Sequence, residues 1–464
     1  MTSEPHQQTT TRSRPNERFL TLDELVAEID AGQIDTVVLA FTDMQGRLQG
    51  KRLHAAYFRD VAREHGTEGC NYLLAVDVDM NTVDGYAISS WARGYGDMEF
   101  VPDYSTIRRL AYLPGTVLIQ CDLVWLDHTP VRPSPRTVLR AQLDRLADRD
   151  LVAQAGTELE FITFNNSYEQ AQELDWRHLT PANQYNVDYS LLGTSRIEPF
   201  LRDVRNHMYA AGLDTESAKG ECNFGQHEVG FLFADALTTA DNHAVYKTAI
   251  KEIAAQHGKS VTFMAKYDER EGNSCHIHLS LRGASGELSF WGGGARSTLY
   301  NQFVAGLLAT MADFTLLYAP NINSYKRFAD GSFAPTTIAW GEDNRTCAVR
   351  LVGRGASARL ENRVPGADVN PYLALAAMIA GGLHGIQAQL ELPEPVAGNA
   401  YASDLPRVPR TLSAARERFV ASEPARTAFG DDVVEHYARM AEVELEAFDA
   451  AVTDWELRRG FERL

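Results

Sequence analysis

The stretch that decides the fold is residues 156–161, GTELEF, because it alternates charged and apolar side chains. On a β-strand, successive side chains point to opposite faces. Glu158 and Glu160 therefore share one face, and Leu159 lies on the other. The same spacing returns in His276-Ile277-His278. The sequence predicts a sheet with an apolar back and a charged front.

Further charged residues repeat the pattern. They are the pair Glu221 and Glu228, and the alternating set Arg359, Glu361 and Arg363 around Leu360. Several carboxylates with one or two imidazoles suit Mg²⁺ or Mn²⁺. Guanidinium groups suit phosphate and carboxylate anions. Each pattern alone also fits an ordinary solvated strand, where cross-strand charge pairs are common. The set as a whole favours a charged cavity.

Composition restricts the class of protein. The chain has 464 residues, 44% of them hydrophobic and 23% charged, which is typical of a globular protein with two or more domains. Its net charge of -18 argues against general attraction to nucleic acid or anionic membranes. Five arginines nevertheless cluster at Arg345, Arg350, Arg354, Arg359 and Arg363. They indicate an anion pocket, or alternatively an arginine-rich surface hairpin.

Cysteine usage and hydropathy indicate the compartment. The 5 cysteines are odd in number and lack CxxC spacing, which argues against a disulfide framework or structural zinc and fits a reducing cytoplasm. No apolar run reaches about 18 residues, so no transmembrane helix is predicted. Residues 1–17 are polar and lack the apolar core of a secretory signal, and they are interpreted as a flexible tail.

A boundary near residue 128 is predicted from three prolines between 130 and 135. It divides an N-terminal domain, 18–127, from a larger domain, 128–464. In the larger domain, predicted strands lie near 154–164, 214–219, 227–233, 261–265, 275–281, 347–351 and 358–364. Predicted helices lie near 195–211, 236–257, 296–317 and 370–389, with a helical tail over 431–464. This mixture predicts an α+β fold.

The order of these motifs resembles the glutamine synthetase family, in its prokaryotic type-I-like branch, over roughly residues 20–464. The resemblance is carried by Gly96-Asp97-Met98, by GTELEF, by Gly225-Gln226-His227-Glu228, by Cys275–Ser280, by Asn323–Arg327, by Arg359–Arg363 and by Asn370-Pro371. It implies a small N-terminal β-grasp-like domain. It also implies a catalytic domain with an open antiparallel sheet, or half-barrel, surrounded by helices.

The resemblance also assigns roles. Glu160, Glu221 and Glu228 match one metal position, and Glu158, His276 and Glu361 match a second, with two or three Mg²⁺ or Mn²⁺ ions expected per site. ATP is expected as co-substrate beside His278, Ser280, Arg350 and Arg359. Gly272, Arg327, Arg345 and Arg363 match the glutamate positions, the three arginines also being catalytic. Such a site transfers phosphate from ATP to a carboxylate, and an amine then displaces the phosphate.

Two departures concern the amine. Phe333 stands where ammonia-using members carry a flap glutamate, and the region of Asn71 lacks their ammonium-binding aspartate. Without these carboxylates, a primary amine such as a short alkylamine or ethanolamine is favoured over ammonium. The predicted amine pocket is Phe333, Asn71 and Tyr189. A true glutamine synthetase, a carboxylate kinase and a non-catalytic assembly remain alternatives.

The resemblance further implies a homo-oligomer, a dodecamer of two hexameric rings with active sites between subunits. The partners expected are L-glutamate, a primary amine and ATP, in the cytoplasm, with no nucleic acid and no membrane. The tyrosine that some members adenylylate has only a weak counterpart in Tyr401, so that regulation is not predicted.

Overall fold

The computed structural model describes residues 18–464, so the predicted tail over 1–17 lies outside the described residues. The first helix, α1 (Leu22–Asp30), begins at a capping box formed by Thr21 and Glu24. Two very short helices follow, α2 (Ala55–Tyr57) and α3 (Arg63–His65). None of the described helices is both long and apolar enough to span a bilayer.

The N-terminal part is built on a six-stranded sheet. Its strands are β1 (Thr36–Thr42), β2 (Leu48–His54), β3 (Thr67–Cys70), β4 (Asp97–Pro102), β5 (Arg108–Arg109) and β6 (Thr116–Trp125). The spatial order is β2-β1-β6-β4-β3, with β5 also paired to β6. Strands β1 and β6 are parallel neighbours, and the other pairs are antiparallel.

The larger part is built on a nine-stranded, mostly antiparallel sheet. Its strands are β7 (Leu151–Phe164), β8 (Thr215–Gly220), β9 (Gln226–Phe231), β10 (Ala234–Asp235), β11 (Ser260–Thr262), β12 (Cys275–Gly283), β15 (Trp340–Glu342), β16 (Val349–Val352) and β17 (Arg359–Asn362). The order is β15-β16-β17-β12-β7-β9-β8, and β10 and β11 also pair with β7. A separate hairpin joins β13 (Trp291–Gly292) to β14 (Ala295–Arg296).

Helices cover this sheet, which confirms the predicted α+β class with a curled half-barrel. They are α4 (Pro135–Ala147), α5 (Tyr168–Glu173), α6 (Leu191–Ser195), α7 (Glu198–Ala210), α8 (Ala236–Gln256), α9 (Thr298–Tyr318), α10 (Pro371–Gln387), α11 (Leu412–Ala421), α12 (Glu423–Phe429), α13 (Asp431–Ala450) and α14 (Asp454–Gly460). The predicted helical tail is interrupted between Ala450 and Asp454.

A buried ion-pair cluster joins the two parts of the molecule. Arg136, on α4, donates to Asp241 on α8 through Nε and Nη2, both at 3.0 Å. It also donates to Asp122 of β6 at 2.6 Å and to Asp103 at 2.7 Å. The hydroxyl of Tyr372, on α10, donates to Asp241 at 2.6 Å. The predicted boundary near residue 128 is therefore followed at once by a helix that is tied to the N-terminal sheet through Asp122 and to helix α8 through Asp241.

Candidate active site

Strand register brings the predicted residues onto one face of the sheet. In the β7–β12 pair, His276 lies opposite Glu158. In the β12–β17 pair, His278 lies opposite Glu361, and Arg350 of β16 faces Glu361 from the other side. Directly opposed residues on neighbouring strands point to the same face. The intervening side chains, Leu159, Ile277 and Leu360, are buried behind them, as the alternation predicts.

A second row of carboxylates begins where β7 changes partner. Beyond Leu159, which pairs with β12, Glu160 pairs with Glu228 of β9. Glu221 follows the last residue of β8 and joins them. Oxygen atoms of Glu160, Glu221 and Glu228 all lie within 4.8 Å of one another. The predicted first metal set is therefore assembled in space.

The other cluster contains both imidazoles. Glu158, His278 and Glu361 each offer a ligand atom within 4.8 Å of the others. His276 contacts the same carboxylates, with its Nδ1 at 3.3 Å from Glu158 and 3.6 Å from Glu361. His278 Nε2 lies 3.0 Å from Glu158. The sequence assigned only His276 to the metal and His278 to ATP, whereas the structure places both rings against Glu158.

The protonation states in this cluster suit a cation site. Burial lowers the pKa of His276 to about 4, with a further contribution from the charge of Arg363. The ring is then neutral near pH 7, which is the form that binds metals. Burial opposes ionisation of Glu158, but hydrogen bonds from His276 and His278 outweigh it and lower its pKa. Burial also opposes ionisation of Glu361, and the nearby His276 and Arg363 charges lower its pKa in turn.

The first metal set, Glu160, Glu221 and Glu228, carries more negative charge than the positive groups around it offset. Burial, and then the charge of Glu158, raise the pKa of Glu228 to about 8. Burial raises the pKa of Glu160, although the Ser274 N–H donates to its carboxylate at 2.7 Å. Such raised values mark buried carboxylates that lack sufficient positive charge. Three converging carboxylates in this state fit a divalent cation.

Two of the predicted arginines, Arg350 and Arg359, contact residues of this face. Arg350 donates to Glu361 at 2.9 Å and also pairs with Asp343. Arg359 donates from Nε to His278 Nδ1 at 3.2 Å and from Nη1 to the Ser357 carbonyl at 3.2 Å. Arg345 is exposed in the segment between β15 and β16. Its contact with glutamate remains a prediction.

Arg327 and Arg363 are both buried. Arg363 donates to Glu361 at 2.5 Å, whereas its Nε is buried without a hydrogen-bond partner among the described residues. Arg327 donates to the carbonyls of Val364 and Arg363 at 2.8 and 3.0 Å, and to Ser274 Oγ at 2.9 Å. Arg327 thus supports the end of β17, and its direct contact with glutamate remains a prediction.

Gly272 lies beside Arg327, and its role in glutamate binding remains a prediction. A Cβ atom there would lie 2.3 Å from the Ala265 carbonyl and 3.0 Å from Cγ of Arg327. The Gly272 carbonyl accepts a hydrogen bond of 2.9 Å from Gln226, which also donates to Glu160 at 3.1 Å. The backbone at Gly272 is therefore fixed relative to the first metal set.

A cavity of about 550 Å³ opens in front of the sheet. It is lined by Glu158 and Glu228 and by the predicted ATP residues His278, Ser280 and Arg359. Its wall also includes Phe233, which is 66% exposed. An exposed aromatic ring in such a cavity suits a stacked nucleobase. Sequence reasoning missed Phe233, because an aromatic residue after a strand is ordinarily part of a core.

The predicted amine-pocket residues lie in different places. Tyr189 is exposed and lines the same cavity. Phe333 is exposed, has a left-handed φ of 59°, and its carbonyl accepts a 3.5 Å hydrogen bond from Arg363. Asn71 is buried in the N-terminal part and donates to the Ile88 carbonyl at 3.0 Å. A shared pocket containing Asn71 depends on a neighbouring subunit and remains a prediction.

Hydrogen bonds from Tyr401 and Arg407 hold the segment around Phe333. Tyr401 donates from its hydroxyl to the Ala334 carbonyl at 3.0 Å. Arg407 donates to Thr336 at 2.7 Å and to Asp330 at 3.3 Å. Residues 330–336, the flap, are therefore anchored at both ends while Phe333 stays exposed between them.

Two charged residues at the site were missed in the sequence. Lys219 pairs with Glu221 and lies 3.7 Å from Glu228. Lys219 lies two residues before Glu221 at the end of a predicted strand, and this spacing could have indicated that the two side chains share a face. Asp188 forms a further cluster with Glu221 and Cys222, with ligand atoms within 4.8 Å of one another. Asp188 lies on a loop about thirty residues earlier, and no local pattern links it to the site.

Comparison with known proteins agrees with this geometry. Residues 132–460 match the family model for the glutamine synthetase catalytic domain. The chain is 63% identical over 445 residues to the gamma-glutamylethanolamide synthetase GlnA4 of Streptomyces coelicolor, covering 96% of each chain. It is 38% identical to a glutamate–isopropylamine ligase from Pseudomonas, covering 93% of this chain and 96% of that one. A solved GmaS/ADP complex matches with a TM-score of 0.83 and 27% identity, covering 94% of this chain and 99% of that chain.

Proposed function

This chain belongs to the glutamine synthetase family, and from that premise we propose that it joins the γ-carboxylate of L-glutamate to ethanolamine or a similar small primary amine, using ATP. The observation that carries the ligase reaction is the assembly of two carboxylate clusters on one sheet face beside a nucleotide-sized cavity. The 63% identity to a gamma-glutamylethanolamide synthetase supports ethanolamine.

Glu160, Glu221 and Glu228 would hold one Mg²⁺ or Mn²⁺ ion, and Glu158, Glu361 and the two imidazoles would hold another. Asp188 and Cys222 offer a third position next to Glu221. When bound, these ions supply positive charge that stabilises the transferring phosphate. We propose two ions as the working number.

The remaining steps are assigned to the side chains of this chain. Phe233 stacks on the adenine, and Ser280 and Arg359 face the nucleotide in the same cavity. A γ-carboxylate oxygen of glutamate attacks the γ-phosphorus of ATP, and ADP leaves. Arg345 and Arg363 bind the resulting acyl phosphate, since guanidinium groups match phosphate oxygens. The amine nitrogen then attacks the acyl carbon, loses a proton and displaces inorganic phosphate, leaving an amide.

The acceptor preference rests on the flap. Phe333 offers an exposed ring, not a carboxylate, at a residue whose backbone carbonyl accepts from Arg363. An ammonium ion gains little from an apolar ring that lacks a carboxylate partner, whereas the carbon atoms of a small amine gain contact area. A small monoamine is therefore the proposed acceptor, with ammonium a poorer one.

Assembly into rings with shared active sites is also proposed. Several apolar side chains are strongly exposed in the single chain, among them Trp91 at 73%, Leu191 at 85% and Leu192 at 75%. Large exposed apolar side chains are typical of contact surfaces. The five free cysteines and the use of ATP support a cytoplasmic location.

The test is a phosphate-release assay with ATP, Mg²⁺ and glutamate against ethanolamine, isopropylamine, putrescine and ammonium. Mass spectrometry of the product identifies the amide. We expect kcat/KM for ethanolamine to exceed that for ammonium by at least about tenfold, or about 1.4 kcal/mol. A preference for ammonium of that size would make the protein a glutamine synthetase with an altered flap. Phosphate release that needs no amine would indicate a kinase.

A further inference from the structure

Lys219 occupies an unusual place in the first metal set. Cross-strand register places it opposite Glu228, which in turn lies opposite Glu160. One row of side chains across β8, β9 and β7 therefore reads Lys219, Glu228, Glu160. The Lys219 ammonium pairs with Glu221 and lies 3.7 Å from Glu228 Oε1. Backbone pairing thus delivers a cation to the place where carboxylates converge.

The side chains of the neighbouring arginines form hydrogen bonds and ion pairs with other groups. Arg327 donates to Ser274 and to two carbonyls, and Arg363 donates to Glu361. Of the described cations near the set, Lys219 is the one with recorded ion pairs to its carboxylates. Arg327 and Arg363 act on Glu160 through their charge without a direct ion pair, so one directly paired ammonium faces three carboxylic groups, and a dication balances this set better.

The Lys219 ammonium also lies beside an aromatic ring while it pairs with Glu221. Its Nζ lies 5.1 Å from the ring centroid of Tyr189, within the range of a cation–π contact. Both residues line the 550 Å³ cavity proposed to hold ATP. A lysine ammonium is a compact charge on a flexible stem, so it can leave the carboxylates without moving the strand.

We propose that Lys219 is a displaceable counter-ion of the Glu160–Glu221–Glu228 set. Without metal, its ammonium holds Glu221 and Glu228 together. A divalent ion entering the set displaces the ammonium toward Tyr189, where it faces the anionic phosphates in the cavity. This inference rests on the metal site of the proposed function. It makes Lys219 a positioning residue that lowers metal affinity and stabilises the metal-free protein.

The test is Mn²⁺ binding by calorimetry, together with thermal unfolding with and without Mn²⁺. Lys219→Met removes the charge and keeps the length, and Lys219→Arg keeps the charge. We expect Lys219→Met to bind Mn²⁺ at this site roughly tenfold more tightly, since no ammonium must be displaced. Its metal-free unfolding temperature should fall, and Mn²⁺ should restore it. Lys219→Arg should stay close to the parent in both measurements.

Arg282 provides the matched control. It lines the same cavity but donates to the Ala356 carbonyl and not to the three carboxylates. Arg282→Met should leave Mn²⁺ affinity within about twofold of the parent. Equal or weaker Mn²⁺ binding by Lys219→Met would overturn the proposal. Should Lys219→Met fail to fold without metal, Lys219→Gln is titrated in its place and judged by the same criterion.

Glu221→Gln separates this inference from the proposed function. The parent should show a Mn²⁺ site that Glu221→Gln weakens. If the parent and Glu221→Gln bind Mn²⁺ identically, the metal site itself is wrong and the inference falls with it. If Glu221→Gln loses the site and Lys219→Met does not tighten it, only the counter-ion role is wrong.

Discussion

Arg363 Nη1 lies 2.5 Å from Glu361 Oε1, and both side chains are buried. The two residues are separated by Asn362, so the pair arises within one extended segment. The other oxygen of Glu361 accepts from Arg350 at 2.9 Å. Glu361 therefore holds two arginines in place while it offers ligand atoms to the cluster with Glu158 and His278.

Replacing Glu361 should affect both turnover and stability. Glu361→Gln should lower kcat by roughly 10²- to 10³-fold, because a charge contact at the phosphate site is lost. Glu361→Ala should in addition destabilise the fold by about 3–5 kcal/mol, because two arginines lose their buried partner. Steady-state kinetics and urea unfolding measure the two effects. Glu342→Gln, at an exposed carboxylate on β15, is the control. Near-normal turnover in Glu361→Gln would remove Glu361 from the site.

Arg359 should act on ATP. Its guanidinium contacts His278 and the Ser357 carbonyl at the edge of the cavity, and we expect it to reach the phosphates when ATP is bound. Arg359→Ala should lower kcat/KM for ATP by about 30- to 1,000-fold, or roughly 2–4 kcal/mol. Initial rates at varied ATP and saturating glutamate test this. An unchanged KM and kcat would place Arg359 outside the phosphate site, and Arg354→Ala controls for the loss of one local charge.

Stability should fall in acid because of His436. Burial lowers the pKa of this side chain to about 3. The centroid of its ring lies 4.8 Å from that of Tyr86 and 5.4 Å from that of Tyr437. Between pH 6.5 and 3, the unfolded chain binds a proton at His436 that the folded chain does not. Folding stability is therefore lost as pH falls through this window, by up to about 1.4 kcal/mol per pH unit.

Urea unfolding of the parent and His436→Leu at pH 7 and pH 5 checks this expectation. The difference in unfolding free energy between the two pH values should be smaller in His436→Leu. His227, whose pKa burial lowers to about 4, should keep part of the acid sensitivity in both proteins. An identical pH dependence in the variant and the parent would contradict the assignment to His436.

Phe333→Glu should shift acceptor preference toward ammonium. It places a carboxylate on the exposed flap, at the residue whose backbone carbonyl accepts from Arg363, and supplies a partner and a base for a small cation. The loss of one apolar contact should raise KM for ethanolamine by roughly 10- to 200-fold, which corresponds to about 1–3 kcal/mol of binding free energy. Competition between ethanolamine and ammonium, followed by mass spectrometry, measures the ratio. Phe333→Leu, which keeps an apolar side chain, should retain the parent preference, and a ratio unchanged in Phe333→Glu would exclude the flap from acceptor choice.

The sequence predicted the elements that carry strict alternation. Strand β7 was expected near 154–164 and lies at Leu151–Phe164, and the facing of Glu158 and Glu160 follows from its period of two. Helix α10 was expected near 370–389 and lies at Pro371–Gln387, where Asn370 caps it. Local patterns sufficed here because periodicity and capping act within one segment.

Other features depend on distant contacts or on cues that were overlooked. Helix α14 begins anew at a capping box formed by Thr453 and Glu456, which explains the break before it. This capping box is visible in the sequence but was missed inside a helical run. Phe233 and Asp188 reach the site only through the fold of the chain. Asn71 is buried in the N-terminal part. Its predicted role depends on a contact between subunits, which no local sequence pattern encodes.

The cluster around Arg136 limits which motions can accompany turnover. Breaking a buried ion pair by removing one partner costs about 3–5 kcal/mol, so an arrangement in which α4 and α8 separate at Asp241 would be populated well below one part in a hundred. The N-terminal sheet, which pairs with Arg136 through Asp122, should then stay fixed against α4 and α8 during turnover. A conformational step that limits the rate is expected instead in short exposed segments such as residues 330–336, which a few side-chain hydrogen bonds hold.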